Sequence, residues 1–326
     1  MGRTGAVFQG LPLRIAHLEV REVFGIFLLI IFEVGFVMDK RYYDIAGHIV
    51  SLERPDDNVW QQMKNLVPFE TAEQEPVIVF RQVDSLEEKT PEPLLVSDDE
   101  GFPLITIGKT AEGKWFFTMA PLNDAPVCCR CRASEDFSLA EFEILNPRQA
   151  VFSINNTMML LFALRTAPLS TLEIHASVIM KDGKGFVFLG KSGTGKSTHS
   201  RLWLENIPDT ELLNDDNPVI RVMDDGSVRV FGSPWSGKTP CYKKKDVSLA
   251  AIVRLNQAPF NRIAKLSPSQ AYACLYPSVS AYRPERKVAD GVHNGITGVI
   301  MKVPCYNLEC LPDAAAAELC CRTIDG

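Results

Sequence analysis

Residues 190–197 read Gly-Lys-Ser-Gly-Thr-Gly-Lys-Ser, the pattern G-x-x-x-x-G-K-[ST]. Each residue type suits a phosphate. Gly190, Gly193 and Gly195 let the backbone curl so that several N–H groups point inward at phosphate oxygens. Lys191, Ser192, Thr194 and Thr198 complete the loop and the first turn behind it. Lys196 is spaced to reach the β and γ phosphates, and Ser197 to ligate Mg²⁺. A helix opening at 195 turns its positive end to the same anion. With average residue usage such a pattern arises by chance in a chain of this length roughly once in a hundred. An apolar strand before the loop and a helix after it are the context the motif requires, which disfavours a ligand-free glycine-rich turn.

Asp215-Asp216 stands at the end of a strand-like run, 19 residues after Lys196. A carboxylate there can hold Mg²⁺, and a second can take a proton from an attacking hydroxyl. An Asx-type turn is the bland alternative. His175 lies on the strand before the loop strand, and pairing of the two could bring it towards the phosphates. Residues 232–238, Gly-Ser-Pro-Trp-Ser-Gly-Lys, allow two readings. One is a substrate loop whose Lys238 stabilises charge as phosphoryl leaves. The other is a turn with an aromatic plug. Lys243, Lys244 and Lys245 read as a solvated face.

These residues need elements to position them. Residues 39–145 carry short apolar or alternating runs separated by polar turns, a β pattern. The acidic stretch 85–100 reads as an exposed loop. Residues 148–166 have helical spacing without Pro or Gly, and their Met and Phe residues read as core. After that, strand and helix alternate: 172–180 as one strand, 185–190, the loop and a helix through Trp203, 210–215, a hairpin over 217–232, two further strands, a helix capped by Ser267-Pro268, and a closing strand and helix. The expected fold is α/β: a P-loop-containing mixed sheet with flanking helices, preceded by a β-rich N-terminal domain. The domains are expected at 38–146 and 147–326.

A net charge of −6 argues against a general nucleic-acid binder. The nine cysteines form no paired C-x-x-C units, so free thiols of a reducing cytosol are expected. Residues 24–32 are apolar but too few to span a membrane, for which about 20 are needed. No A-x-A site follows to make them a signal peptide. The favoured expectation is that 1–37 is a non-native leader, with translation starting at Met38, and that the protein is cytoplasmic.

The run 174–200, with His175 and the loop, followed by Leu212-Leu-Asn-Asp-Asp-Asn217, resembles the core of the HPr kinase/phosphorylase and phosphoenolpyruvate carboxykinase superfamily. The likeness is strong over 172–220 and weak from there to the C-terminus. It implies phosphate contacts from Gly193, Gly195 and Lys196. It also implies Mg²⁺ on Ser197 and one aspartate, assigned to Asp216, with Asp215 as general base and His175 at a second metal. No E-[IL]-R-G-[LI]-G segment is present, so HPr itself is not the expected acceptor. The chain is also shorter than a carboxykinase. The expected activity is transfer of the γ-phosphoryl of ATP to an unidentified hydroxyl, on a protein serine or a small molecule. The competing readings are a nucleotide-gated regulatory module with little or no hydrolysis, and a carboxykinase-type lyase. A GTPase is disfavoured by the missing N-K-x-D motif. Homo-oligomers are compatible with the resemblance.

Overall fold

Among the described residues, two mixed sheets of nine strands each form the framework. The computed structural model describes residues 39–97, 103–237 and 239–325. The expectations for 1–37, for Met38 and for Lys238 fall outside the described residues.

The first sheet comprises β1 (Lys40–Ile45), β2 (His48–Glu53), β3 (Glu70–Thr71), β4 (Ile78–Gln82), β5 (Leu95–Ser97), β6 (Leu104–Lys109), β7 (Trp115–Ala120), β8 (Cys129–Ala133) and β9 (Leu139–Ile144). Its order is β3-β1-β2-β4-β9-β8-β7-β6-β5. Every side chain of β7 is buried, whereas β8 and β9 alternate as half-buried strands do. A short helix α1 (Asp57–Gln62) follows β2, its N-terminus capped by the Asp56 carboxylate accepting from Val59 N. Helix α2 (Ala150–Thr166) then leads to the second sheet.

The second sheet contains β10 (Thr171–Glu173), β11 (Ala176–Lys181), β12 (Lys184–Leu189), β13 (Thr210–Asp216), β14 (Val219–Val222), β15 (Val228–Phe231), β16 (Asp246–Gln257), β17 (Arg262–Lys265) and β18 (Cys305–Cys310). The order β10-β14-β15-β16-β12-β11-β13 continues through β18, which pairs with β16 and β17. The helices of this half are α3 (Lys196–Asn206), α4 (Pro268–Leu275), α5 (Arg286–Ile300) and α6 (Ala314–Ile324). Ser267 and Gln270 form a capping box at α4, with Pro268 in its first turn.

One apolar cluster runs from Leu52, Phe80 and Phe117 through Phe162 of α2 to Leu172, Val187 and Ile220. A second cluster packs Phe186 and Phe188 against Trp203 of α3 and against Ala317 and Cys320 of α6. Each such large side chain contributes about 1.5–3 kcal/mol by leaving water. The β-strand carrying the glycine loop is therefore held from both faces. His48 on β2 and Thr171 on β10 share a buried 2.8 Å hydrogen bond between the sheets. The nine cysteines are free thiols. Among the described residues no helix is long and apolar enough to cross a membrane.

Several local expectations change. The run 172–180 is two strands, because Ile174 bridges Val279 and His175 N donates to Ser278 O at 2.7 Å. That diverts the backbone to a different neighbour between β10 and β11. The stretch expected as the loop 85–100 contains β5. The chain turns at Ala46-Gly47 to form the β1–β2 hairpin. Helix α5, which follows no expected element, lies against the turn at Ala167–Leu169.

Candidate active site

After β12 the chain turns through 190–195 into α3. Gly193 and Gly195 take φ of 77° and 104°, the left-handed region that a Cβ disfavours. Gly195 is also the N-cap, and no side chain caps this helix. Its first-turn N–H groups are thus left for another acceptor. Thr194 braces the loop on the Lys191 carbonyl through its N–H and its hydroxyl. Gln257 Nε2 reaches the carbonyls of Gly193 and Thr194 from β16, each at 3.4 Å.

Lys196 starts α3 and is 8% exposed. Its ammonium lies 2.9 Å from His175 Nε2 and 3.0 Å from the Gly190 carbonyl. Burial pulls its pKa below the ordinary lysine value, opposed by the charges of Asp216 and Asp215. A buried cation whose close partners are a ring nitrogen and a carbonyl is prepared for an anion.

Ser197 Oγ donates to Asp215 Oδ1 at 3.1 Å. Asp216, the next residue on β13, pairs instead with His175, its Oδ1 being 2.9 Å from Nδ1. Successive strand residues face opposite sides, and so the two carboxylates part company. Asp216 has φ 141°, an uncommon backbone for a residue with a Cβ that costs of order 1–3 kcal/mol. The segment 232–237 supports this arrangement. Gly237 N donates to Asp215 O at 2.7 Å, and Asp216 and Ser236 form a bridge. Buried Asn214 donates to the carbonyl of Trp235 at 3.0 Å and to Ser233 Oγ at 3.2 Å. Trp235 is the buried plug of that segment, tilted on Phe162 with centroids 5.4 Å apart. Lys243 and Lys245 pair with Glu211, and Lys244 with Asp44.

A cavity of about 640 Å³ opens between the loop and the aspartate pair, lined by His175, Lys196, Ser197, Thr198, Asp215 and Asp216. Two further cavities flank the loop. One, of about 600 Å³, is walled by Lys191, Ser192, Arg254, Asn256 and Ser278. The other, of about 350 Å³, is walled by Leu202, Leu255, Leu311 and Pro312. Among the described residues no three His, Cys, Asp or Glu side chains gather as a metal cage.

The structure therefore brings His175, Lys196, Ser197, Asp215 and Asp216 together as two hydrogen-bonded sets, Lys196–His175–Asp216 and Ser197–Asp215. Sequence reasoning missed Gln257, which reaches the loop from β16, and did not foresee that Asn214 and Gly237 would anchor the 232–237 segment to the aspartate strand. It also missed Glu173. That carboxyl is buried and its Oε2 has no partner among the described residues. Burial raises its pKa well above the carboxylate range, and the charge of Asp216 adds to this. An acidic residue in the otherwise apolar run before His175 was the available signal.

Residues 142–313, more than half of the chain, match the sequence model of a family described as SynChlorMet cassette protein ScmC. No curated protein matches the chain. Among solved structures, the chain is similar to the HPr(Ser) kinase/phosphatase from Coxiella burnetii. The identity is 12% and the TM-score 0.24, over 47% of this chain and 99% of that chain.

Proposed function

This chain belongs to the ScmC family, and we propose that it is an ATP-dependent phosphotransferase whose 190–197 loop is a P-loop. The observation that carries the reading is the buried Lys196 ammonium, held by the His175 ring nitrogen and a carbonyl beside an uncapped helix N-terminus. A triphosphate supplies the anion that both features lack. The apolar cavity at Leu202, Leu255 and Leu311 suits the base.

The donor set fits Mg²⁺. Ser197 Oγ and Asp215 Oδ1 are hard oxygens 3.1 Å apart, and this ion takes one or two such ligands and completes its shell with phosphate and water. When bound, Mg²⁺ neutralises charge on the phosphates. The geometry supports dividing the aspartates in the opposite sense to the sequence expectation. Ser197 and Asp215 would hold the metal, and Asp216 would be the base. In that division Lys196 leaves His175 for the phosphates. Asp216, oriented by His175 Nδ1, accepts the proton of the acceptor hydroxyl. The hydroxyl oxygen bonds to the γ-phosphorus as the bond to the ADP oxygen breaks.

The test is to incubate the full chain with γ-labelled MgATP, with and without cell extract or a panel of hydroxyl compounds. Label transfer in the parent, absent in Lys196→Ala and Asp216→Asn, is the expected result. Nucleotide binding without transfer in any arm would instead leave a nucleotide-gated module. No binding at all would overturn both.

A further inference from the structure

The cavity of about 600 Å³ beside Lys191 and Arg254 lies outside the metal and base sites assigned above. We propose that it is a second anion site and that it takes the carboxylate of a small hydroxy acid, the acceptor of the phosphoryl group. The proposal rests on the phosphotransferase reading and adds its substrate class.

Parallel strands set the place. β12 and β18 flank β16, both parallel to it. Leu189, the last residue of β12, stands opposite Arg254, and Arg254 stands opposite Asn307 of β18. The crevice beyond the carboxyl ends of such strands is where open α/β sheets bind ligands. Val253 and Leu255 are buried, whereas Arg254 between them is exposed. Lys191 is exposed as well. Neither cation has a hydrogen-bond or ion-pair partner among the described residues. Burial raises the Cys274 thiol on α4 to about 11, and the Arg254 charge opposes this, so the guanidinium reaches the wall that Cys274 makes. The polar side chains of Ser192, Asn256 and Ser278 and the apolar ones of Leu255 and Pro277 complete the lining. Among the described residues no carboxylate lines this cavity, in a chain whose net charge is −6.

Charge selects the ligand. A guanidinium fork matches a carboxylate with two parallel hydrogen bonds, and the Lys191 ammonium adds a point charge. A carboxylate brings one negative charge. A phosphate monoester brings close to two, set beside a triphosphate that already repels it. An amino group would meet two cations and no carboxylate, which disfavours free amino acids. The polar side chains suit hydroxyls, and the apolar ones suit a short carbon chain. The cavity shares His175, Ser192 and Gly193 with the phosphate-side cavity. With its carboxylate at Arg254, a hydroxy acid points its other end to that shared wall, beyond which Asp216 lines the phosphate cavity. The wall is also tied to the site, because His175 N donates to Ser278 O at 2.7 Å while the His175 ring holds Lys196 and Asp216. In the reaction the hydroxyl oxygen bonds to the γ-phosphorus, the bond from that phosphorus to the β–γ bridging oxygen breaks, ADP leaves and the hydroxyl proton passes to Asp216.

The test is saturation-transfer NMR titration of the full chain, with and without a saturating non-hydrolysable MgATP analogue, which keeps the loop itself from holding the probes. The probes are lactate, glycerate and gluconate, with glycerol, glycerol 3-phosphate and serine for comparison. The thermal shift given by the analogue is read in parallel. The hydroxy acids are expected to bind saturably with the analogue present, more tightly than every comparison compound. Arg254→Gln should weaken them about tenfold or more, and Arg254→Lys, which keeps the charge and loses the fork, should weaken them less. Both variants should keep the analogue's thermal shift, which shows that they fold. Hydroxy-acid binding that is absent, that the analogue abolishes, that ignores both variants, or that any comparison compound equals would overturn the proposal. With the analogue shifting the parent, a hydroxy acid that binds through Arg254 yet takes no label from γ-labelled MgATP would overturn its role as acceptor. If hydroxy acids bind through Arg254 while the analogue gives the parent no shift, the nucleotide reading fails and the anion site stands.

Discussion

Lys196 Nζ stands 2.9 Å from His175 Nε2. An ammonium only donates, so this ring nitrogen presents its lone pair and the proton sits on Nδ1, facing Asp216. The tautomer of His175 is thus assigned by its two neighbours, and Lys196 is tethered to a group it can leave at little cost.

Replacing Lys196 by Met removes a cation whose burial is unfavourable in the free protein. The thermal midpoint of Lys196→Met is expected to be no lower than that of the parent. The parent gains about 2.7 kcal/mol at a nucleotide concentration 100 times Kd, which corresponds to a shift of roughly 5 °C. The variant should gain none. Thermal unfolding with and without MgATP measures both quantities. A variant that retains the shift would remove Lys196 from the phosphate site.

Asp215 and Asp216 should fail differently. Asp215→Asn weakens the hard-oxygen pair with Ser197, so the metal concentration for half-maximal nucleotide binding is expected to rise at least about tenfold. Asp216→Asn leaves that pair intact and removes the base, so transfer should fall by about 10²–10⁴ with nucleotide affinity nearly kept. Metal titration of binding, set beside turnover, separates the two. Equal metal dependence in both variants would return the assignment to the one expected from sequence.

The parts of this site that are local in the chain were legible. The loop, the helix after it and the strand ending at Asp216 follow from glycine spacing and apolar runs, which need only neighbouring residues. How Asp215 and Asp216 divide was not legible. It depends on the register that sets Ser177 opposite Asp215 and Ala176 opposite Asp216. Contacts between distant segments were equally hidden, as with Asn65 and Asn155 or Gln257 and Gly193. Helix α5 was assigned no element from the sequence. Its Gly291 and Gly295 let the helix approach closely, since a Cβ on Gly291 would fall 2.5 Å from the Ala167 backbone. The β-pattern of 39–145 was legible as strands. The contacts that its Asn65 makes to Asn155 and to the Pro234 carbonyl depend on tertiary packing alone.

Gly237 shows how closely the aspartates are held from behind. A Cβ there would lie 3.2 Å from Asp216 Cβ and 3.3 Å from the Asp215 carbonyl. Gly237→Ala must push the pair by a few tenths of an ångström while leaving every functional group present. The expected loss is about tenfold or more in turnover, with unfolding free energy changed by roughly 1 kcal/mol or less. Turnover and denaturant midpoint measured on one preparation decide it. An unchanged turnover would mean that the aspartates tolerate displacement.

Acid should destabilise the fold through two buried imidazoles. Burial lowers both His48 and His199 from 6.5 to about 4. His48 shares its Nε2 with Thr171 between the sheets, and His199 Nε2 accepts from the Trp203 indole at 3.1 Å, which a protonated ring cannot do. The unfolded chain takes up these protons first. Stability contributed by the neutral rings is therefore full above about pH 6.5 and is lost as pH falls through that value towards 4. The loss is about 3 kcal/mol per group at its fullest. His48→Gln removes one titrating group and keeps a partner for Thr171. Its unfolding free energy is expected to fall less steeply than that of the parent between pH 6.5 and 4, with no difference in slope above pH 7. Denaturant titrations at half-unit pH steps measure the two slopes, and identical slopes would show that His48 titrates alike in the folded and unfolded chains.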